Sequence, residues 1–163
     1  MVPAFGQAGF SMRIRAARGE EAAILSELAL RSKAHWGYDE TFMGKCREEL
    51  TLRAAEVEAR RTVVAEREGR IIGFVTLQGE PPVGELGMLF VDPPAIGQGV
   101  GRLLFEHVLA AARGLGFVRL TLDADPHAEA FYLAMGATRV GTVPSGSIAG
   151  RELPVMVIGL QGS

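Results

Sequence analysis

Short apolar runs alternate with turn-forming residues along the chain, and the spacing inside each run predicts its element. Residues 12–16 alternate and predict a first strand. Residues 20–32 carry Ile24, Leu25, Leu28 and Ala29 at helical spacing. A loop through His35-Trp36-Gly37-Tyr38 follows, and Asp39 can cap a second helix whose apolar side is Phe42, Met43, Cys46 and Leu50. Residues 62–66 and 71–77 predict two strands around the hairpin-length turn Arg67-Glu68-Gly69-Arg70. A fourth strand spans 85–91 and stops at Asp92-Pro93-Pro94, because proline cannot donate to a ladder. The helix over 99–115 carries Leu103, Leu104, His107, Val108, Ala111 and Ala112 and ends in Gly114 and Gly116. A fifth strand covers 117–124. A short helix over 126–135 has Pro126 in its first turn and Gly136 as its stop. Strands over 138–143 and 153–160 close the chain around a turn-rich loop that contains Ser145, Ser147 and Arg151.

The predicted order is β-α-α-β-β-β-α-β-α-β-β. Strands joined by tight turns must be antiparallel, whereas the fourth and fifth, joined through a helix, should be parallel. The fold class is therefore α/β with a mixed sheet. About seven mostly antiparallel strands surround a central parallel pair, with about four helices, unlike a doubly wound parallel sheet.

A length of 163 residues suits one domain, and 48% apolar with 22% charged residues is a globular composition. Residues 1–11 read as a loose leader and 12–163 as the single domain. The leader lacks the basic and apolar regions of a signal peptide. A formal charge of −2 argues against a nucleic-acid binder. Arginines are scattered, with only Arg60-Arg61 adjacent. No apolar run approaches the ~20 residues that span a membrane. Cys46 is the only cysteine, so no internal disulfide forms, and a cytoplasmic location is expected. Its place on an apolar helix face makes it a core residue rather than a nucleophile. No His, Cys or Asp cluster has metal spacing, so no metal is expected.

Candidate chemistry begins at Gly97-Gln98-Gly99-Val100-Gly101. Alternate glycines uncover the backbone, and the loop runs straight into a helix whose first amides and dipole favour a phosphate. Arg102 adds a cation there. No Gly-Lys-Ser/Thr follows, so the loop is not a nucleotide-hydrolysing P-loop. A Rossmann dinucleotide site is the rival reading, with Asp123 as the ribose-binding acid. Against it, Arg102 stands where G-x-G-x-x-G needs glycine, and three tightly connected strands precede the loop.

The segment from Glu85 to Leu104 resembles the acetyl-CoA signature of the GNAT superfamily: a strand ending in V-x-P, then (R/Q)-x-x-G-x-(G/A), then a helix. The run from Asp125 through Ala128, Phe131 and Tyr132 to Gly136 resembles the family's N/D-x-x-A-x-x-F-Y-x-x-x-G segment, and the element order from 12 to 160 matches as well. The resemblance implies a GNAT-like fold that takes acetyl-CoA as co-substrate and transfers its acetyl group directly to a primary amine of a small molecule or peptide. It implies that Leu89, Phe90 and Val91 hydrogen-bond the pantetheine arm, that Gly97, Gln98, Gly99, Val100, Gly101 and Arg102 hold the pyrophosphate, and that Asp125 joins the cofactor site. Tyr132 would reach the sulfur. Oligomeric state stays open, a homodimer being common in the family. Ile96 departs from the pattern, since it stands where the family has Arg or Gln.

Glu85 begins the fourth strand beside the presumed cleft and is the candidate base for the amine proton. A solvated strand-end Glu is the plain alternative. His35, Trp36 and Tyr38 are candidate acceptor-binding residues, with cation–π contact available to a cationic amine. Loop anchoring would also explain them. His107 and His127 read as surface residues, and Ser145 and Ser147 as turn residues in a loop that could close over the acceptor. Two other functions remain: a GNAT-fold acyl-CoA sensor without turnover, which would need neither Tyr132 nor Glu85, and a nicotinamide dinucleotide protein.

Overall fold

The computed structural model describes residues 11–160, so the expected leader lies outside the described residues except for Ser11. Seven strands form one sheet among these residues: β1 Arg13–Ala16, β2 Val63–Arg67, β3 Arg70–Gln78, β4 Val83–Val91, β5 Arg119–Asp123, β6 Thr138–Pro144 and β7 Glu152–Gly159. Their spatial order is β1-β2-β3-β4-β5-β7-β6. Every neighbouring pair is antiparallel except β4 and β5. The mixed sheet with its central parallel pair is thus the one expected.

Five helices accompany it: α1 Ala22–Ala34, α2 Glu40–Cys46, α3 Ala54–Ala59, α4 Val100–Leu115 and α5 Glu129–Ala134. The extra element relative to expectation is α3. Its only buried residue is Val57, so its sequence carries no apolar stripe for a period to show. The aspartate cap of α2 forms as expected, Asp39 accepting from the Phe42 amide at 2.8 Å. That helix stops at Cys46, which is buried.

The sheet is covered on both faces. One core joins Leu104, Phe105, Val108 and Ala112 of α4 to Leu77, Leu86, Leu120 and Met156. The other joins Leu25 and Leu28 of α1, Cys46 and Val57 to Val64, Phe74 and Met88. Two helical faces are rotated from the expected ones. Phe105 and Leu109 are buried in α4 where His107 and Ala111 were expected, and Ile24 of α1 is 51% exposed. No described helix is long and apolar enough to cross a membrane.

One buried ion cluster ties the first strand to the sheet. Arg15 meets Glu21 through two hydrogen bonds of 2.7 and 3.1 Å and meets Glu66 at 3.2 Å. Glu21 also accepts the Arg18 amide at 2.8 Å. Hydrogen bonds from Arg15 hold the Glu21 carboxyl below its ordinary pKa, outweighing the effect of burial. Its contribution to stability is therefore present above the ordinary carboxylate range and is lost as pH falls through the lowered value. Glu21→Gln is expected to cost about 1–3 kcal/mol, or several degrees of melting temperature, and to flatten the acid limb of the stability profile. Thermal melts near neutral pH and at about pH 4 check this; parallel profiles for variant and wild type would show the network contributes nothing.

Candidate functional site

The site begins where β4 and β5 part. They pair over three positions only, Val83 with Arg119, Gly84 with Leu120 and Glu85 with Thr121. Beyond Glu85, β4 runs on to Val91 with β3 on one side and no strand on the other. A bulge shapes the departure. Val75 lies opposite Leu89 and Leu77 opposite Leu86, so two steps along β3 answer three along β4. The buried Thr76 hydroxyl accepts the Met88 amide at 2.9 Å and steadies the bulge. A Cβ on Gly87 would meet the end of the Gln78 side chain, which would have to swing aside, and would come within 3.0 Å of the Thr76 hydroxyl. The bulge also turns the alternation, placing Leu86 in the α4 core and Met88 in the α1 core.

The free β4 edge, Leu89 to Val91, leads into the glycine loop. Asp92, 3% exposed, fixes the exit: its carboxylate meets Arg31 at 3.0 Å and Arg70 at 3.6 Å, and its carbonyl accepts the Ala95 amide at 2.8 Å. A 3-10 turn, Pro93–Ala95, follows. Gly97 and Gly99 then adopt φ of 86° and 85°, left-handed conformations that favour glycine. A Cβ at either would meet nothing within 4 Å, so the space above the loop is open. Gly101 lies in the first turn of α4, where a Cβ would touch the Phe131 ring at 3.5 Å. The first amides of α4 have no carbonyl one turn earlier to bond, and they face out with the positive end of the helix dipole. Arg102 pairs with Glu106 at 3.2 Å on the surface, Gln98 donates to the Pro94 carbonyl at 3.2 Å, and Ile96 is 38% exposed.

Past β5 the chain turns through Asp125, whose carboxylate accepts the His127 amide at 2.8 Å and caps the turn into α5. Tyr132 is the buried residue of α5, its ring 5.9 Å from Phe105 and 5.2 Å from Phe131. Burial, with the nearby Asp125 charge second, raises the phenol above its ordinary pKa and keeps it protonated. Around Asp125 the elements converge. Lys33 Nζ lies 3.0 Å away, the Tyr38 hydroxyl donates at 3.0 Å, and Arg151 donates at 3.3 Å. Trp36 stacks on His127 at 5.0 Å, and His35 meets Trp36 edge-on at 5.6 Å.

The acetyltransferase (GNAT) family model matches residues 27–137. The chain belongs to this family. Among curated relatives it is 38% identical over 100 residues to the mycothiol acetyltransferase of Thermomonospora curvata, covering 56% of this chain and 33% of that protein. It is 35% identical over 79 residues to the peptidyl-lysine N-acetyltransferase YjaB of Salmonella typhimurium, covering 48% and 50%. The chain thus spans a third of the first of these relatives and half of the second. Its fold is similar to that of the PaiA N-acetyltransferase of Thermoplasma acidophilum solved with coenzyme A, at a TM-score of 0.75 and 20% identity over 91% of this chain and 99% of that one.

The GNAT segments and the first loop come together here in a distinctive way. Tyr38, Trp36 and His35 gather around Asp125 and His127, so the Asp125 carboxylate is engaged by the first loop. Glu85 stands at the closed end of the wedge, exposed, beside Gln78 and Thr121. His127, read from sequence as a surface residue, is part of the cluster, and Lys33, Phe42 and Arg151 join it without having been singled out. In the β6–β7 loop, Ser147 donates to Glu49 at 2.9 Å and lies 3.6 Å from the Cys46 sulfur, so this part of the loop packs beside the end of α2.

Proposed function

We propose that the chain is an acetyl-CoA-dependent N-acetyltransferase that passes the acetyl group directly to a primary amine of a small molecule or peptide. One observation carries the reading: an unpaired strand edge, Leu89–Val91, ends in an open glycine loop at the start of α4. That arrangement accepts a strand-like arm and a phosphate group in series. The coenzyme A bound by the PaiA N-acetyltransferase supports the same reading.

When bound, acetyl-CoA supplies an activated acyl group and a thiolate leaving group. The chain's residues do the rest. Backbone groups of Leu89, Phe90 and Val91 hold the arm by strand addition, where side-chain identity matters little. The loop from Gly97 to Arg102 receives the pyrophosphate, chiefly through the first amides of α4, since the Gln98 amide already bonds the Ala95 carbonyl at 3.3 Å. Arg102 can turn from Glu106 toward it, because an exposed ion pair is weak. Glu85 takes the proton of the incoming amine, through water if the amine stands farther off. Tyr132, kept protonated by burial, donates to the departing sulfur. Trp36, Tyr38 and His35 flank the acceptor, with Asp125 behind Tyr38.

The test pairs thermal shift against acetyl-CoA, CoA and NAD with thiol release across an amine panel. Stabilisation by acetyl-CoA and amine-dependent thiol release are the expected results. Stabilisation without release for any amine would make the protein a cofactor sensor, and a preference for NAD would overturn the acetyl-CoA site.

A further inference from the structure

The Asp125 cluster holds more positive charge than its carboxylate balances. Lys33 Nζ and an Arg151 nitrogen meet the same oxygen, Asp125 Oδ2, at 3.0 and 3.3 Å. All three side chains are mostly buried, at 13%, 16% and 15% exposure. Burial alone would raise the Asp125 carboxyl, but the His127 amide, Lys33 and the Tyr38 hydroxyl outweigh it and hold it at about 2. The aspartate is therefore ionised near neutral pH, and two cations face one anion. The nearby carboxylates are engaged at the exposed rim: Asp39 caps the Phe42 amide and Glu49 accepts from Ser147.

Both cations also have donors left over. Lys33 gives one N–H to Asp125, and Arg151 gives one nitrogen to Tyr38, at 2.7 Å, and to Asp125. The remaining Arg151 N–H groups have no protein acceptor among the described residues. A surplus cation in a half-buried setting is costly unless a further anion joins it, and the guanidinium fork matches a carboxylate. The aromatic surface expected to receive a cationic substrate is meanwhile taken by the protein's own cations. Arg151 lies 4.9 Å from the Tyr38 ring centre and 4.7 Å from that of Phe42, with Lys33 at 5.7 and 6.0 Å.

We infer that the acceptor is a small amine bearing a carboxylate, such as an α-amino acid, and that Arg151 and Lys33 hold that carboxylate. The inference rests on the transferase reading for the acceptor's role. The cluster is built from the end of α1, the following loop, the exit of β5 and the β6–β7 loop, and Tyr132 lies close enough to feel the Asp125 charge.

The experiment compares α-amino acids with their C-terminal amides, which differ only in the carboxylate. Binding is read by calorimetry in the presence of CoA, and turnover by thiol release from acetyl-CoA. Free acids should exceed the amides by at least about tenfold in both affinity and kcat/KM, and Arg151→Gln should collapse that ratio toward one while Arg151→Lys restores part of it. Equal behaviour of acids and amides in the wild type overturns the inference, as does binding of neither, or tighter binding of polyamines without a carboxylate. The wild-type comparison decides even if Arg151→Gln fails to fold. Acids that bind selectively without any thiol release would uphold the carboxylate site and overturn the transferase reading instead.

Discussion

Tyr132→Phe is expected to keep the fold and most of the acetyl-CoA affinity while lowering kcat at least about thirtyfold. The ring packs against Phe105 and Phe131, and phenylalanine refills that space, so only one oxygen is removed. That oxygen matters through its proton. A buried phenol beside an ionised Asp125 resists ionisation, so it stays protonated at neutral pH and can hydrogen-bond the sulfur, but the same shift makes it a weaker acid until the thiolate charge develops beside it. General acid help to a leaving group contributes typically about 10²–10⁴-fold. The loss should appear in the chemical step, so single-turnover rates should fall in parallel. The raised pKa adds a sign to the expectation: Tyr132 should contribute no basic limb to the rate profile below about pH 10. A variant with near wild-type turnover on its acceptor would make Tyr132 a packing residue and leave the sulfur to water.

Gly99→Val should weaken acetyl-CoA binding by about 2 kcal/mol or more, roughly thirtyfold. The reason is two-fold. At φ 85° a β-branched residue is strained, by about 1–3 kcal/mol, and its side chain would project into the open space above the loop. Strain alone would reduce stability, whereas obstruction reduces affinity, and a control separates them. Gly116, at the far end of α4, has φ 97°, and a Cβ there would meet only Pro81 at ordinary contact distance. Gly116→Val should therefore lower the melting temperature and leave affinity alone. Calorimetry showing unchanged affinity for a folded Gly99→Val would remove the loop from the binding site.

The strands were readable in the sequence because each signals itself within a few residues. Apolar alternation, a Gly turn or a Pro stop is local information, and the strand order then follows from connection lengths. Other features rest on distant partners. The pairing of Lys33 and Arg151 on Asp125 spans 92 and 26 residues, and neither cation differs locally from any solvated one. The β4 bulge hides inside Leu86-Gly87-Met88, where both flanking residues are apolar and nothing local shows that they face opposite cores. The glycine loop was readable for a further reason: phosphate approach demands uncovered backbone in a short run, whereas Tyr132 was marked only by the resemblance of its segment to the family's. The residues proposed here to set acceptor choice obey no such local pattern.

The three-pair seam between β4 and β5 has a mechanical meaning. It divides the sheet into β1–β4 and β5–β7, each a set of antiparallel ladders, at the parallel seam that pairs over three positions. What holds the halves together is mainly the layer beneath, where α4 packs in one core with Leu77 and Leu86 of the first half and Leu120 and Met156 of the second. The wedge thus opens over a helix that spans it, with α4 touching both sides. The glycine loop opens that same helix, so the candidate phosphate site and the seam of the sheet are joined through one element.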